Sequence, residues 1–133
     1  MATEATAFVE GLLPSDSATL VALSGDLGAG KTTFVQGVAA ALGVTEHVTS
    51  PTFVIMKIYD LAGQKFDRLV HMDAYRLKGD QHLRALGWNE LLRDPKNLII
   101  VEWPEKIEGG IPASARPITF RYSGDDSREI VYG

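Results

Sequence analysis

Gly25-Asp26-Leu27-Gly28-Ala29-Gly30-Lys31-Thr32 fits the phosphate-binding pattern G-x-x-x-x-G-K-[ST], and its neighbours are those such a loop requires. A β-prone apolar run, Thr19 to Leu23, leads in, and a helical pattern with Phe34, Val38, Ala41 and Leu42 on one face leads out. The order is strand, loop, helix. Glycines let the backbone wrap so that its N–H groups point at phosphate oxygens, and the following helix adds its positive N-terminal end. Lys31 is placed to neutralise β/γ charge, and Thr32 to offer a hydroxyl to Mg²⁺. A glycine-rich turn capped by threonine needs no lysine at that offset, so the segment predicts a nucleoside triphosphate site.

Outward from the loop, Ala5 to Leu13 reads as a short helix with Phe8, Val9, Leu12 and Leu13 on one side, ended by Pro14. Lys31 to Leu42 is the second helix, with Gly43 at the position that favours a left-handed C-cap. Phe53 to Tyr59 and Arg68 to Asp73 read as an antiparallel hairpin around Asp60-Leu61-Ala62-Gly63-Gln64. Asp80 to Leu92 is a helical stretch interrupted near Gly87. Leu98 to Val101 is a continuous apolar run of the kind found in a strand covered on both faces. Arg116 to Tyr122 and Arg128 to Tyr132 alternate across a Gly-Asp-Asp turn and predict a closing hairpin. The expected fold is three-layer α/β, with parallel core strands and antiparallel hairpins at the edges of a mixed sheet.

The 133 residues suit a single P-loop domain over 1–133, and no Pro/Gly/Ser-rich linker divides them. Absence of cysteine excludes disulfides and thiolate metal sites. The apolar runs are too short to span a bilayer, and Met1 to Glu10 contains two acids and no base, unlike a signal segment. A soluble cytoplasmic protein without membrane contact is the expectation. A formal charge of −4, with no dense basic block, gives no global attraction for nucleic acid, so RNA contact has to be local or made through a partner.

Hydrolysis of a triphosphate needs Mg²⁺, an acid to hold it, and a group to orient the attacking water. Glu102 closes the run Leu98 to Val101 at the strand edge that faces the ligand crevice in this fold class, and is the first candidate for Mg²⁺. Asp73 ends the strand that carries His71 on the same face; it is the candidate for ordering metal-bound or attacking water, or else a turn cap ahead of Tyr75 and Arg76. His71 beside one Asp falls short of a zinc ligand set and reads as a hydrogen-bonded structural histidine. Ser50 and Thr52, one helix beyond the loop, are either hydroxyls for the γ-phosphate or parts of an ordinary Ser-Pro turn. Trp103 is placed to stack on a ligand or partner, or to pack in the core. Arg76, Arg116 and Arg128 are candidates for touching phosphate, or solvated surface residues.

Taken together, Gly25 to Phe34, Ser50-Pro51-Thr52-Phe53, His71-Met72-Asp73-Ala74-Tyr75-Arg76-Leu77 and Ile100-Val101-Glu102-Trp103-Pro104-Glu105 resemble the bacterial TsaE family, formerly YjeE. The likeness covers nearly the whole chain in the right order. It implies a small P-loop ATPase that works with TsaB-like and TsaD-like proteins to form N6-threonylcarbamoyladenosine in tRNAs reading codons that begin with adenine. In that family ATP hydrolysis supports repeated turnover, TsaD carries the transfer, and tRNA is met only through the complex. The resemblance places Mg²⁺ ligands on Thr32 and Glu102, a further essential acid on Asp73 and a late arginine near the nucleotide on Arg128. Nucleotide-binding residues are then Asp26, Leu27, Gly28, Ala29, Gly30, Lys31, Thr32, Thr33 and Arg128, and catalytic ones Lys31, Asp73 and Glu102. Two departures stand out. The chain begins almost at its first helix, where family members carry residues that contact the base, and Lys78 to Arg84 lacks their run of acids.

Three rivals share parts of this pattern. Asp60-Leu61-Ala62-Gly63 fits the D-x-x-G switch of a GTPase, but no [NT]-K-x-D guanine-reading motif follows. A small-molecule kinase needs a lid and an acceptor pocket, and no Arg-rich lid segment occurs. A nucleotide-gated binding module without useful hydrolysis overlaps the family expectation.

Overall fold

A computed structural model describes residues 2–25, 30–45, 56–77, 80–122 and 128–132. Four helices and six strands carry the fold: α1 (Ala2–Glu10), β1 (Thr19–Gly25), α2 (Lys31–Ala41), β2 (Met56–Asp60), β3 (Arg68–Asp73), α3 (Asp80–Ala85), α4 (Trp88–Arg93), β4 (Asn97–Glu102), β5 (Arg116–Tyr122) and β6 (Arg128–Tyr132). The strands form one sheet in the order β2-β3-β4-β1-β5-β6. β3, β4, β1 and β5 run parallel, whereas β2 and β6 pair antiparallel with β3 and β5. This is the mixed α/β sheet that the sequence predicts.

Alternation along the strands divides the core in two. Val21, Leu23, Leu69, Leu98 and Ile100 join Ala5 and Val9 of α1, Leu12 just after it, and Phe34, Val35 and Val38 of α2 on one face. Leu20, Ala22, Val70, Met72, Ile99 and Val101 meet Leu83 of α3, Trp88 of α4 and Ile107 on the other. Strand β4 is buried throughout, which explains its unbroken apolar run. Trp88 is seated by its indole N–H, which donates to the Gly110 carbonyl at 2.9 Å.

Helix α1 ends at Glu10, three residues before the predicted Leu13. Gly11 N–H closes the last turn onto the Ala7 and Phe8 carbonyls, both at 3.2 Å. The chain then leaves the helix because Lys65 Nζ donates to the Glu10 and Leu12 carbonyls at 2.9 Å each, satisfying groups that another turn would have used. α2 ends at Ala41, one residue before the predicted Leu42. Gly43 takes φ 84°, with Gly43 N–H on Ala40 and Val44 N–H on Ala39, a Schellman arrangement. The α3–α4 break falls at Gly87, whose φ of 76° is a left-handed conformation that favours glycine. β3 runs over the predicted Arg68–Asp73, and β2 continues one residue past the predicted Tyr59 to Asp60. Phe53 to Ile55, the start of the predicted strand, and the Gly-Asp-Asp turn lie outside the described residues. Among the described residues no helix is long and apolar enough to cross a membrane.

Candidate functional site

The C-terminal ends of β1, β3 and β4 converge where the phosphate loop begins. Parallel register sets Leu23 opposite Glu102 and Asp73 opposite Glu102, so the β1 end leading into the loop and both candidate acids share one sheet edge. His71, Asp73 and Glu102 have the parity of Leu69 and Ile100, which puts them on the face covered by α1 and α2. Helix α2 opens directly on Lys31, after Gly30 in a left-handed conformation of φ 103°.

Lys31 is 5% exposed. Its Nζ donates to the Gly25 carbonyl at 3.1 Å and stands 3.9 Å from the centre of the Trp103 ring. Among the described residues this buried ammonium meets a carbonyl dipole and an aromatic face. Trp103 is the one non-glycine among the described residues at positive φ, 61°, a conformation that costs energy and turns the chain sharply after β4. It both packs on the second core cluster and meets the Tyr75 ring in a tilted contact, ring centres 5.3 Å apart. The packing role read as one alternative for Trp103 is thus present, and the same ring lies beneath Lys31.

Glu102, only 3% exposed, bonds through Oε2 to His71 Nε2 at 2.6 Å. Asp73 accepts the Tyr75 N–H at 2.9 Å and caps the 3₁₀ turn Ala74–Arg76, so the cap predicted as one alternative is present. That bond engages Oδ1 and does not remove Asp73 from the edge it shares with Glu102. Burial, with the charge of Glu102, raises the Asp73 carboxyl above its ordinary 3.8, against the Tyr75 N–H, His71 and Lys31, which lower it. The folded chain then holds this proton more tightly than the unfolded one. Stability falls as pH rises from the ordinary value through the raised one, and the penalty stays constant above that. Asp73→Asn keeps an acceptor for Tyr75, so it should raise the melting temperature at neutral pH and leave it unchanged below about pH 3. Equal melting curves of mutant and wild type at neutral pH would count against this electrostatic picture.

Thr32 is half-buried in the first turn of α2, and Thr33 beside it is exposed. Thr32 follows the lysine that rests on Trp103, and Glu102 precedes that tryptophan, so the first turn of α2 and the end of β4 lie at the same edge of the sheet. This all-oxygen set suits Mg²⁺, which takes one or two protein oxygens and completes its shell from phosphates and water. No cluster of three or more His, Cys, Asp or Glu forms an all-protein cage among the described residues.

Other candidates separate. Asp26, Leu27, Gly28, Ala29, Ser50 and Thr52 lie outside the described residues, as do the side chains of Arg76 and Arg128. The Arg128 backbone pairs with Tyr122, two residues past the Phe120–Gly25 pair, and so lies at the loop edge of the sheet. Arg116 pairs with Val21 and is exposed, about 13 Å of strand short of the loop. Asp60, the head of the D-x-x-G tetrad, pairs with Arg68 at the opposite end of β3, about 16 Å of strand from Asp73, a poor place for a γ-phosphate switch. Sequence reasoning missed Tyr75 as a site wall and Lys106, whose Nζ lies 5.2 Å from the Tyr75 ring centre. For Tyr75 the signal was its place two residues after Asp73; for Lys106 there was none.

Fold and site define an α/β protein with a phosphate-loop sequence at the C-terminal edge of a mixed sheet, and two strand-end carboxylates beside it. The family model for threonylcarbamoyl adenosine biosynthesis protein TsaE matches residues 2–130, and the chain belongs to that family. The tRNA threonylcarbamoyladenosine biosynthesis proteins TsaE of Bacillus subtilis and Streptomyces coelicolor are 41% and 43% identical to it, covering 85% and 84% of this chain and 68% and 74% of their own. The crystal structure of Bacillus subtilis YdiB superposes with a TM-score of 0.73 at 33% identity, covering 99% of this chain and 79% of that one.

Proposed function

We propose that this chain binds ATP with Mg²⁺ and hydrolyses it in the service of tRNA threonylcarbamoyladenosine formation, acting in the cytoplasm with TsaB-like and TsaD-like proteins. The observation that carries this is the buried Lys31, held at the first loop residue and beside the strand-end pair Asp73 and Glu102. In this reading the loop N–H groups and Lys31 bind the β- and γ-phosphates. Thr32 and Glu102 hold Mg²⁺, which when bound neutralises charge developing on the phosphate oxygens. Asp73 orients the attacking water through the oxygen that does not cap the 3₁₀ turn. The family membership supports the biological role. In this reading a partner takes up the output of hydrolysis, and its docking requires unequal affinities for the ATP and ADP states.

The test measures ATP binding, turnover and partner binding for wild type and Lys31→Ala, alone and with a TsaB–TsaD complex. Slow turnover alone, acceleration by the complex and different partner affinities with ATP analogue and ADP are expected. Lys31→Ala should weaken ATP binding about 10–100-fold, the worth of a charge-assisted hydrogen bond. Wild-type affinity and turnover in a folded Lys31→Ala protein would end the proposal.

A further inference from the structure

The geometry points to His71 as a positioning residue that fixes the Glu102 carboxylate for Mg²⁺, an inference that rests on the proposed metal role of Glu102. His71 is fully buried on the α1/α2 face of the sheet, in a row otherwise filled by Leu69, Leu98 and Ile100. Its register partner on β4 is Ile100, and Glu102 is the next residue on that face, so the imidazole reaches diagonally along the pleat. Nε2 meets Glu102 Oε2 at 2.6 Å, while Nδ1 has no hydrogen-bond partner among the described residues.

That asymmetry locates the proton. With hydrogen on Nδ1 alone, a buried N–H would be orphaned and the Nε2 lone pair would face a carboxylate lone pair. With hydrogen on Nε2, a charge-assisted bond forms and only a lone pair is left unmet. Glu102 thus accepts from His71 through Oε2, which fixes the plane of the carboxylate and leaves Oε1 outside that bond. An apolar residue at 71 would leave Oε2 buried without this donor and the carboxylate free to turn. Groups that hold a metal-binding carboxylate affect metal affinity through its orientation and basicity without touching the metal.

Calorimetric ADP binding, with and without Mg²⁺, tests this on His71→Leu, His71→Gln, His71→Asn and Glu102→Gln. Glutamine carries its amide donor to the reach of Nε2, whereas asparagine stops near the reach of Nδ1. His71→Leu and His71→Asn should raise the Mg²⁺ concentration for half of the metal-dependent tightening about 10–100-fold. His71→Gln should stay near wild type, and metal-free ADP affinity should be the same in all. Should the leucine protein fail to fold, the asparagine–glutamine contrast decides alone; equal Mg²⁺ requirements for those two overturn the inference. So does a folded His71→Leu protein with the wild-type Mg²⁺ requirement while Glu102→Gln needs more, an outcome that leaves the Glu102 assignment standing. Loss of ADP affinity in His71→Leu to the same degree with and without metal also overturns it, as mere damage. A Glu102→Gln protein with an unchanged Mg²⁺ requirement overturns the metal role of Glu102 itself, and the His71 role with it.

Discussion

Gly25→Ala is expected to cost about 4 kcal/mol or more of folding stability, measured as a lowered midpoint in denaturant unfolding. Gly25 has φ 135°, a conformation that side chains rarely adopt, and an added Cβ would lie 2.3 Å from the Phe120 carbonyl oxygen and 3.0 Å from its nitrogen and Cβ. Those atoms are backbone and β-carbon of the strand paired with Gly25, so no side-chain rotation relieves the clash. Either the end of β1 pulls away from β5 or the strand end melts. Both move the carbonyl that holds Lys31, and nucleotide binding should fail together with stability. An alanine variant with wild-type stability would show that the β1–β5 junction is looser than its register implies. The first glycine of the loop thus answers to sheet packing, in addition to the phosphate wrapping read from sequence.

Glu102→Gln should lower turnover about 10²–10³-fold while leaving metal-free nucleotide affinity close to wild type. The substitution is nearly isosteric and keeps an acceptor for His71, so what disappears is negative charge at the end of β4. A charge that matters most as bonds to the γ-phosphate break contributes more to the transition state than to the ground state. Asp73→Asn should lower turnover in the same sense, by about 10-fold or more, while stabilising the unliganded fold at neutral pH. Opposite signs for stability and activity at one residue mark a group retained for chemistry. Single-turnover rates and ADP affinities of both variants supply the check. Wild-type turnover in folded Glu102→Gln, or a Mg²⁺-nucleotide complex with both carboxylates remote from the γ-phosphate, would remove these assignments.

Much of the fold was legible because its signals are local. The apolar period around Phe34 and Val38, the unbroken run Leu98 to Val101, and Gly43 after α2 each involve residues a few positions apart, whose backbone preferences do not wait for the rest of the chain. The phosphate loop was legible for the same reason: eight contiguous residues state its chemistry. The end of α1 differs from the sequence reading because its final carbonyl, on Glu10, is taken by Lys65, 55 residues away, and no local pattern announces such a distant donor.

Sequence by itself determined the strand–loop–helix unit, the mixed sheet with hairpins at its edges, and the family to which the chain belongs. Only the tertiary structure decided which of its polar residues meet. Strand order β2-β3-β4-β1-β5-β6 sets Asp73 opposite Glu102 and sends Asp60 to the far edge. It also gives His71 a carboxylate partner 31 residues away and lays the Trp103 ring under Lys31. The physical reason is that a β-strand's face and length are encoded by its own alternation, whereas its neighbours and register follow from packing two whole helical layers against the sheet.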